Sequence, residues 1–507
     1  MKKVLYILFH RSVLVALSLL AQVVTLVVMV NIFSEYINSF YWCCIAISVI
    51  AALLILGSRI EPAYKIAWLL LILPFPVFGG IFYLLVGGGH IPKRISRRMR
   101  RVSEQSEENL REDFKADDLL PLGEDAAGQA RYLERFAHCP AYTNTETEYF
   151  ALGDLVFPRM LEELKKAERY IFLEYFIVDE GEMWGKILEI LARKAKEGVE
   201  VRMLYDGTCE LSTLPHDYPR RLRSLGIQSK MFAPIKPFVS THYNYRDHRK
   251  ILVIDGETAF NGGINLADEY INAYEKYGHW KDTAVMVKGE AARSFTRMFL
   301  HMWYLDEKAP DFDTFLNVPA KQQAANGFVM PYGDCPLDKD KVGEQVYMDM
   351  LNRAQKYVHI MTPYLILDGE LENALKYAAE RGVDVRIILP GVPDKYIPFA
   401  LALTHYRSLL ESGVKIYEYT PGFVHAKVFV CDDREAVVGT INLDYRSLYH
   451  HFECATYLWG TDCIPQIQDD FEKTQGKCRE VTLDLLPAEP LKRRLLGFIA
   501  KAAAPLL

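Results

Sequence analysis

Apolar and polar residues follow one order in two stretches of the chain, residues 131–310 and 326–485. Apolar residues recur at helical spacing in both stretches: Ile187, Leu188, Leu191 and Ala195, then Leu371, Leu375 and Ala378. A glycine that can end the helix follows in each case, Gly198 or Gly382, and a β-branched strand comes next. Helices alternating with short strands predict two pseudo-symmetric α/β halves with one functional site at their interface.

The amino-terminal region has a different pattern, in which apolar residues run on without periodicity. Three such runs are residues 12–30, 41–56 and 66–86. A helix needs about 20 apolar residues to cross a membrane, and a cleaved signal would be a single shorter block. Residues 1–90 are therefore predicted to be a membrane anchor with two transmembrane helices and a third apolar segment.

The third apolar run has two interpretations. If residues 66–86 cross the membrane, clusters of Lys and Arg lie on both sides, against the tendency for positive residues to stay inside. If the run re-enters as a hairpin bent at Pro74 and Pro76, all clusters lie on the cytoplasmic side. The hairpin is the preferred interpretation, and it predicts a multi-pass protein of the cell membrane in which the region after the anchor is cytoplasmic.

Charged segments flank the two halves. Residues 91–130 read as a basic and then acidic linker, and the basic part can be a stop-transfer flank or a clamp on anionic headgroups. Residues 486–507 form an apolar segment with a basic cluster, which suits either an interfacial helix or a plain docking helix.

Composition narrows the classes of function. The net charge of −6 over 507 residues gives no global attraction to nucleic acid. Nine cysteines are scattered without Cys-x-x-Cys spacing, which argues against a disulfide framework or a zinc site and for a reducing compartment.

A short polar motif occurs once in each half. The two copies have one spacing: His248, Lys250 and Asp255, then His425, Lys427 and Asp432. A glycine-containing turn and an asparagine, Asn265 or Asn442, follow each copy. One copy would be a weak signal, but two copies make chance a poor explanation. Two histidines that meet across a pseudo-twofold axis suit a two-step displacement at phosphorus.

The motif residues have different expected roles. Alternate residues of a strand share a face, so His248 and Lys250 should point the same way. Asp255 and Asp432 lie seven positions after the histidines and belong to the catalytic motif, but they should face away and tie down the strand ends. We expect four side chains to converge on one phosphate: Lys250, Lys427, Asn265 and Asn442.

Each histidine nucleophile or acid needs a carboxylate on its second ring nitrogen, which fixes the tautomer and stabilises positive charge. Asp282 and Glu453, downstream of the two motifs, are the candidates, although either can instead form a surface ion pair. Because the lysines and asparagines supply charge stabilisation, the chemistry calls for no metal and no other cofactor.

These motifs resemble the duplicated His-x-Lys-x4-Asp signature of the phospholipase D superfamily. Residues 62–74 and 78–87 are similar to the membrane module of bacterial cardiolipin synthases. The segments around Asn265 and Asn442 are also similar to segments of these enzymes. One departure is His451, which stands two residues before Glu453 where the family often has asparagine. That difference leaves the local hydrogen bonding of Glu453 open.

The resemblance implies a ping-pong transfer of a phosphatidyl group from one phosphatidylglycerol to another, with release of glycerol and a phosphatidyl-histidine intermediate. By analogy, His248 is the nucleophile and His425 the acid and base, although the near-symmetric sequence does not decide this. The implied partners are phosphatidylglycerol and anionic membrane lipid in a membrane-embedded enzyme. The sequence does not indicate the oligomeric state.

Three other functions fit parts of the sequence. A membrane phospholipase D would let water attack and release phosphatidic acid. A nuclease would need no anchor, and neither the net charge nor an obvious basic groove favours nucleic acid. A catalytically inactive membrane scaffold would be expected to have lost part of one motif, and both motifs are intact.

Overall fold

The structure of the protein is a computed structural model. It describes residues 20, 24, 37–58, 60–73, 83, 93–107, 116–234, 245–307, 309–318, 321, 323–337, 340–488 and 490–506. The chain divides into two units, one formed by residues 1–93, 235–244 and 498–507 and the other by residues 94–234 and 245–497.

In the first unit, the described residues include two helices, Ile37–Gly57 and Pro62–Ile72, and a 3₁₀ turn at Ala504–Leu506. Ile55, Trp68 and Ile72 make a small buried cluster between them. The ring of Tyr83 packs edge-on against Trp68, with the ring centroids 5.1 Å apart.

The predicted amino-terminal transmembrane helices are a wrong prediction for the part of the chain that the structure describes. None of the helices there combines the length and the apolar character needed to cross a membrane. The described part of the third apolar run includes the end of the helix Pro62–Ile72, whose 11 residues measure about 16 Å, roughly half the hydrocarbon thickness. The first run, apart from Leu20 and Val24, and the proposed bend at residues 74–76 lie outside the described residues.

The second unit is an α/β structure with 17 described strands. In chain order they are β1 (Thr145–Phe150), β2 (Tyr170–Tyr175), β3 (Glu200–Asp206), β4 (Gln228–Phe232), β5 (Lys250–Ile254), β6 (Thr258–Gly262), β7 (His279–Lys281), β8 (Ala284–Gly289), β9 (Phe328–Asp334), β10 (Tyr357–Met361), β11 (Asp384–Pro390), β12 (Lys415–Tyr419), β13 (Gly422–Val424), β14 (Val428–Cys431), β15 (Glu435–Gly439), β16 (Glu453–Trp459) and β17 (Cys478–Val481).

The strands form two large mixed sheets. The first sheet has the order β1-β8-β6-β5-β2-β3-β4, and the second has the order β17-β12-β11-β10-β14-β15-β16-β9. The motif strands β5 and β14 are central in their sheets, and each is antiparallel to both neighbours. A third, two-stranded sheet pairs β7 of the first half with β13 of the second. The predicted α/β fold of two similar halves is confirmed.

Helices surround both sheets. The longer helices of this unit are Lys93–Glu107, Glu124–Ala137, Gly153–Lys166, Glu182–Lys196, Ala292–Trp303, Val342–Arg353, Gly369–Glu380, Tyr396–Glu411, Ile464–Gln475 and Leu491–Ala503, the last of which extends into the first unit. The shorter helical segments are Cys209–Ser212, Tyr218–Ser224, Asp313–Leu316 and Tyr445–Tyr449, with 3₁₀ turns at Ala116–Leu122, Asp268–Ile271, Tyr304–Asp306 and Leu483–Ala488.

Among the described residues of the second unit, the hydrophobic core has three parts. One part lies on the helix Glu182–Lys196, which buries Ile187 and Leu191 against β2 and β3. A second part lies between the helix Gly369–Glu380, which buries Leu371 and Leu375, and the second sheet. The third contains residues of both sheets, among them Phe172 and Val430, so the two halves share one core.

The repeated helix ends have one conformation. Gly198 and Gly382 each have φ of +94°, a left-handed value that L residues adopt only with strain. Each glycine turns the chain from its helix into the next strand, β3 or β11. The repeat read from the sequence is thus reproduced in the local backbone.

Part of the segment predicted to be a linker is helical. The basic residues begin the helix Lys93–Glu107, and Ala116–Leu122 and Glu124–Ala137 follow. Leu119 and Leu133 are buried in the core of the second half. The apolar positions in this segment therefore contribute to packing.

Candidate active site

Glu453 of the second half meets His248 of the first half through a short parallel bridge. Asp247 pairs with Phe452 in parallel, and the backbone N–H of His248 donates to the carbonyl of Phe452 at 2.9 Å. The next residues on the two chains, His248 and Glu453, are therefore neighbours. Nδ1 of His248 lies 2.9 and 3.0 Å from the two carboxylate oxygens of Glu453.

The same arrangement is repeated with the halves exchanged. In the pairing of β7 with β13, Lys281 lies opposite Val424, and the backbone N–H of His425 donates to the carbonyl of Lys281 at 2.7 Å. The next residues, Asp282 and His425, again become neighbours, with Nδ1 of His425 2.7 Å from Oδ2 of Asp282. Each half thus supplies a carboxylate to the histidine of the other half.

Both pairs are buried, and burial controls their protonation. It lowers the pKa of His248 to about 3 and that of His425 to about 4, although a carboxylate lies beside each ring. Burial alone would raise the pKa of Glu453 and of Asp282, but the facing histidines outweigh it and both pKa values are lowered. Each ionised carboxylate therefore accepts the Nδ1 proton of a neutral ring, and Nε2 keeps its lone pair.

The two motif lysines lie behind their histidines and are each 1% exposed. Lys250 begins β5, and its ammonium group donates to the carbonyl of His248 at 2.6 Å. Lys427 donates to the carbonyl of His425 in the same way. Burial lowers the pKa of Lys250 to about 8 and that of Lys427 to about 7, and the positive charge of Lys250 contributes to the second shift. The two ammonium groups are therefore close enough to repel each other.

The motif aspartates lie at the far ends of the strands. Asp255 accepts hydrogen bonds from the backbone N–H groups of residues 168, 169 and 170, at 2.8 Å each. Asp432 accepts from residues 355, 356 and 357 in the same pattern, at 2.8–2.9 Å. Both have positive φ, 55° and 53°. These carboxylates hold the start of a neighbouring strand and make no contact with the histidine rings.

The two candidate phosphate-binding asparagines differ. Both ends of the Asn265 amide are engaged, since Oδ1 accepts from the backbone of Ile177 at 2.9 Å and Nδ2 donates to the hydroxyl of Tyr270 at 2.7 Å. Asn442 is 5% exposed, and its Oδ1 has no hydrogen-bond partner. The second asparagine thus has a free polar atom, whereas the first is part of the local framework.

Aromatic rings and one hydroxyl that the motifs did not reveal complete the site. Phe176 packs edge-on against His248, with the ring centroids 5.0 Å apart. Tyr270 and Trp280 pack against His425, at 5.4 and 5.5 Å. The hydroxyl of Thr440 donates to Glu453. Thr440 stands in the second motif where Gly263 stands in the first. This difference between the motifs was the sequence signal that could have indicated the additional hydroxyl.

His451 is a further imidazole at the site. Its ring centroid is 5.4 Å from that of His248, and its Nδ1 is 3.7 Å from Oε1 of Glu453. Among the described residues, His248, His451 and Glu453 are the group whose ligand atoms lie close enough together to hold a metal ion.

Two family models match the chain. The model described as cardiolipin synthase, PLD-like domain, matches residues 160–303 and 347–475, and the one described as phospholipase D-nuclease N-terminal matches residues 46–88. A protein of Streptococcus mutans described as uncharacterized is 54% identical over 464 residues, which are 90% of this chain and 99% of that protein.

Named relatives and a solved structure are also similar. Cardiolipin synthases of Alkalihalophilus pseudofirmus and a Geobacillus species are each 35% identical, covering 88% and 90% of this chain and 90% and 91% of their own lengths. The crystal structure of phosphatidylserine synthase from Haemophilus influenzae covers 75% of this chain and 100% of its own, with a TM-score of 0.58 and 16% identity. At that identity, the likeness concerns the fold alone.

Proposed function

Because this chain belongs to the cardiolipin synthase family with phospholipase D-like domains, whose members are phosphatidyltransferases, we propose that it joins two phosphatidylglycerol molecules into cardiolipin and releases glycerol. The family is the one that the sequence motifs predicted. The observation that carries the proposal is the pair of crossed histidine–carboxylate contacts, His248 with Glu453 and His425 with Asp282.

The crossed contacts leave one ring nitrogen of each histidine available for reaction. With Nδ1 held by a carboxylate, the Nε2 lone pair of each ring is the reactive atom. Burial lowers the pKa of both rings and favours their neutral forms. We assign His248 as the nucleophile and His425 as the acid and base by analogy with the superfamily. A bound anionic phosphodiester would stabilise the protonated form of His425.

In the proposed first step, Nε2 of His248 attacks the phosphorus of one phosphatidylglycerol. A P–N bond forms as the P–O bond to the headgroup glycerol breaks. Protonated His425 gives its proton to the departing oxygen, so that neutral glycerol leaves. Lys250 and Lys427 supply positive charge to the phosphoryl oxygens, and the Nδ2 group of Asn442 is a candidate hydrogen-bond donor to them.

In the proposed second step, neutral His425 removes the proton from a glycerol hydroxyl of another phosphatidylglycerol. The oxygen attacks the phosphatidyl-histidine, a P–O bond forms, and the P–N bond breaks. Neutral His248 and protonated His425 are restored. Dividing the exchange into two displacements is the usual advantage of covalent catalysis, and positioned acid–base groups add about 10²–10⁴-fold.

The substrates are lipids, so we place the protein at a membrane surface. Two features support this location. Arg97, Arg100 and Arg101 are exposed on the helix Lys93–Glu107, where they can attract anionic headgroups. The helix Leu491–Ala503 exposes Leu491 and Leu495 beside basic residues, as interfacial helices do.

The reaction is tested with purified protein and vesicles of phosphatidylglycerol labelled in the headgroup glycerol. Cardiolipin together with free labelled glycerol is expected. Phosphatidic acid with glycerol would mean that water is the acceptor, and no turnover would overturn the proposal. Rapid quenching with a neutral denaturant, because the P–N bond to histidine hydrolyses in acid, followed by mass spectrometry should find a phosphatidyl adduct on the peptide that contains His248.

A matched pair of variants separates chemistry from folding. His425→Asn should abolish cardiolipin formation. His405→Asn removes another buried histidine, which lies 2.8 Å from a carboxylate oxygen of Glu372 and outside the motifs. Activity should persist in the second variant. Near-normal turnover in His425→Asn would refute the two-histidine mechanism.

A further inference from the structure

His451 is a buried side chain without a hydrogen-bond partner. It is 8% exposed, and neither of its ring nitrogens has a partner, because the nearest carboxylate oxygen, Oε1 of Glu453, is 3.7 Å from Nδ1. Buried polar groups are nearly always paired, so an orphaned imidazole calls for an explanation. Both of its nitrogens are chemically able to bind a metal ion.

The corresponding position of the other half carries a different group. His451 precedes Glu453 by two residues, and Trp280 precedes Asp282 by two. Each packs on the histidine that its neighbouring acid contacts, with ring centroids 5.4 and 5.5 Å apart. An indole N–H can only donate, so the pair of Asp282 and His425 gains no ligand from Trp280. The extra ligand is therefore specific to the His248 side of the site.

The three side chains on that side form a compact ligand set. The ligand atoms of His248, His451 and Glu453 all lie within 4.8 Å of one another, and all three residues are buried. Two imidazole nitrogens and one carboxylate oxygen are a donor set that Zn²⁺ accepts, with a fourth position left for water or substrate. Thr440 additionally fixes the carboxylate, as supporting hydrogen bonds do around metal sites.

We propose that His248, His451 and Glu453 form an inhibitory site for a divalent transition-metal ion, with Zn²⁺ as the ion that fits. The ion binds Nδ1 of His248 in place of the proton shared with Glu453. It takes no part in phosphatidyl transfer.

The inhibition follows from the tautomer of His248. A neutral imidazole has one N–H, which lies on Nδ1 when Glu453 accepts it. If the metal takes the Nδ1 lone pair, the proton moves to Nε2, with no net gain or loss of protons by the ring. Nε2 then has no lone pair to attack phosphorus. The inhibition rests on the proposed function, whereas metal binding does not.

Metal binding is tested first, on the full-length protein freed of metal with a chelator. Co²⁺ should produce the visible absorption of a tetrahedral complex, and Zn²⁺ should abolish it. His451→Asn and His451→Gln should both lose the band while keeping the circular dichroism of the parent. His216→Asn, which removes an exposed histidine 3.6 Å from Glu210, should keep it. An unchanged band in both His451 variants would overturn the site.

Inhibition is tested on the same proteins, each compared with its own metal-free rate. Zn²⁺ should inhibit the parent and His216→Asn at concentrations at least about 10-fold lower than the His451 variants need, since even outer-shell ligand changes cost about 10–100-fold in affinity. Equal Zn²⁺ sensitivity of parent and His451→Asn would overturn the inhibitory role. If the metal-free protein made no cardiolipin, the proposed function would fail, and the Co²⁺ spectra would still decide the site.

Discussion

Replacing Glu453 with glutamine removes a buried negative charge from the Nδ1 side of His248 and keeps the size of the side chain. The carboxylate is 0% exposed and lies 2.9 and 3.0 Å from Nδ1. A glutamine carbonyl can still accept the Nδ1 proton, so the Nε2 lone pair is retained. The substitution therefore isolates the charge of Glu453 from its role in fixing the tautomer.

The size of the effect follows from the charge that develops on the ring. In the proposed first step, the imidazole of His248 becomes cationic as Nε2 bonds to phosphorus, and Glu453 stabilises that cation. Opposite unit charges about 4 Å apart attract by about 4 kcal/mol at an effective dielectric constant of about 20. Because about 1.4 kcal/mol corresponds to a factor of ten, the first displacement should slow by roughly 10³-fold.

The assay follows the release of labelled glycerol and the formation of the phosphatidyl-histidine in a single turnover. Glu453→Gln should slow both together. Glu418→Gln serves as the control, since Glu418 is 5% exposed in β12 and contacts Tyr406 and Arg479, away from the motifs. If Glu453→Gln kept a rate within about threefold of the parent, the charge would contribute less than about 1 kcal/mol and the reasoning would be wrong.

Three further predictions concern residues of the motifs and their contacts. Asp255→Ala removes the acceptor of three backbone N–H groups, so we expect a loss of about 2 kcal/mol in stability, seen as a lower melting temperature, with little change in the activity of the folded protein. Burial lowers the pKa of Lys427 to about 7 and of Lys250 to about 8. Both lysines therefore lose positive charge as the pH rises through this range, and kcat/KM should fall. Lys427→Arg should move this decline to higher pH, because a guanidinium stays charged. Thr440→Val removes a hydrogen bond to Glu453 and should lower kcat about tenfold, measured by glycerol release.

Each of these predictions has an outcome that contradicts it. An unchanged melting temperature for Asp255→Ala would mean that the strand start is held by other contacts. A flat pH profile, or the same decline in Lys427→Arg, would show that the lysines do not titrate in the free enzyme. Full activity of Thr440→Val would show that Glu453 needs no support from the hydroxyl.

The sequence alone was a good guide wherever the determining contacts are local or repeated. The motif strands are fully buried, β5 at Lys250–Ile254 and β14 at Val428–Cys431, as their β-branched residues indicated. Gly198 and Gly382 end their helices with the same positive φ. The prediction of two amino-terminal transmembrane helices from the runs 12–30 and 41–56 is wrong for the described residues, because none of their helices is both long and apolar enough to cross a membrane.

The sequence alone therefore determined the type of each side chain and its position along a strand, because the alternation of faces is a local property. Which carboxylate serves which histidine was decided only in the tertiary structure. Glu453 is 205 residues from His248, and Asp282 is 143 residues from His425. The periodicity of the sequence does not indicate such pairings. They arise because β7 pairs with β13, and Asp247 pairs with Phe452, across the two halves. These pairings bring each acid beside the histidine ring of the other half.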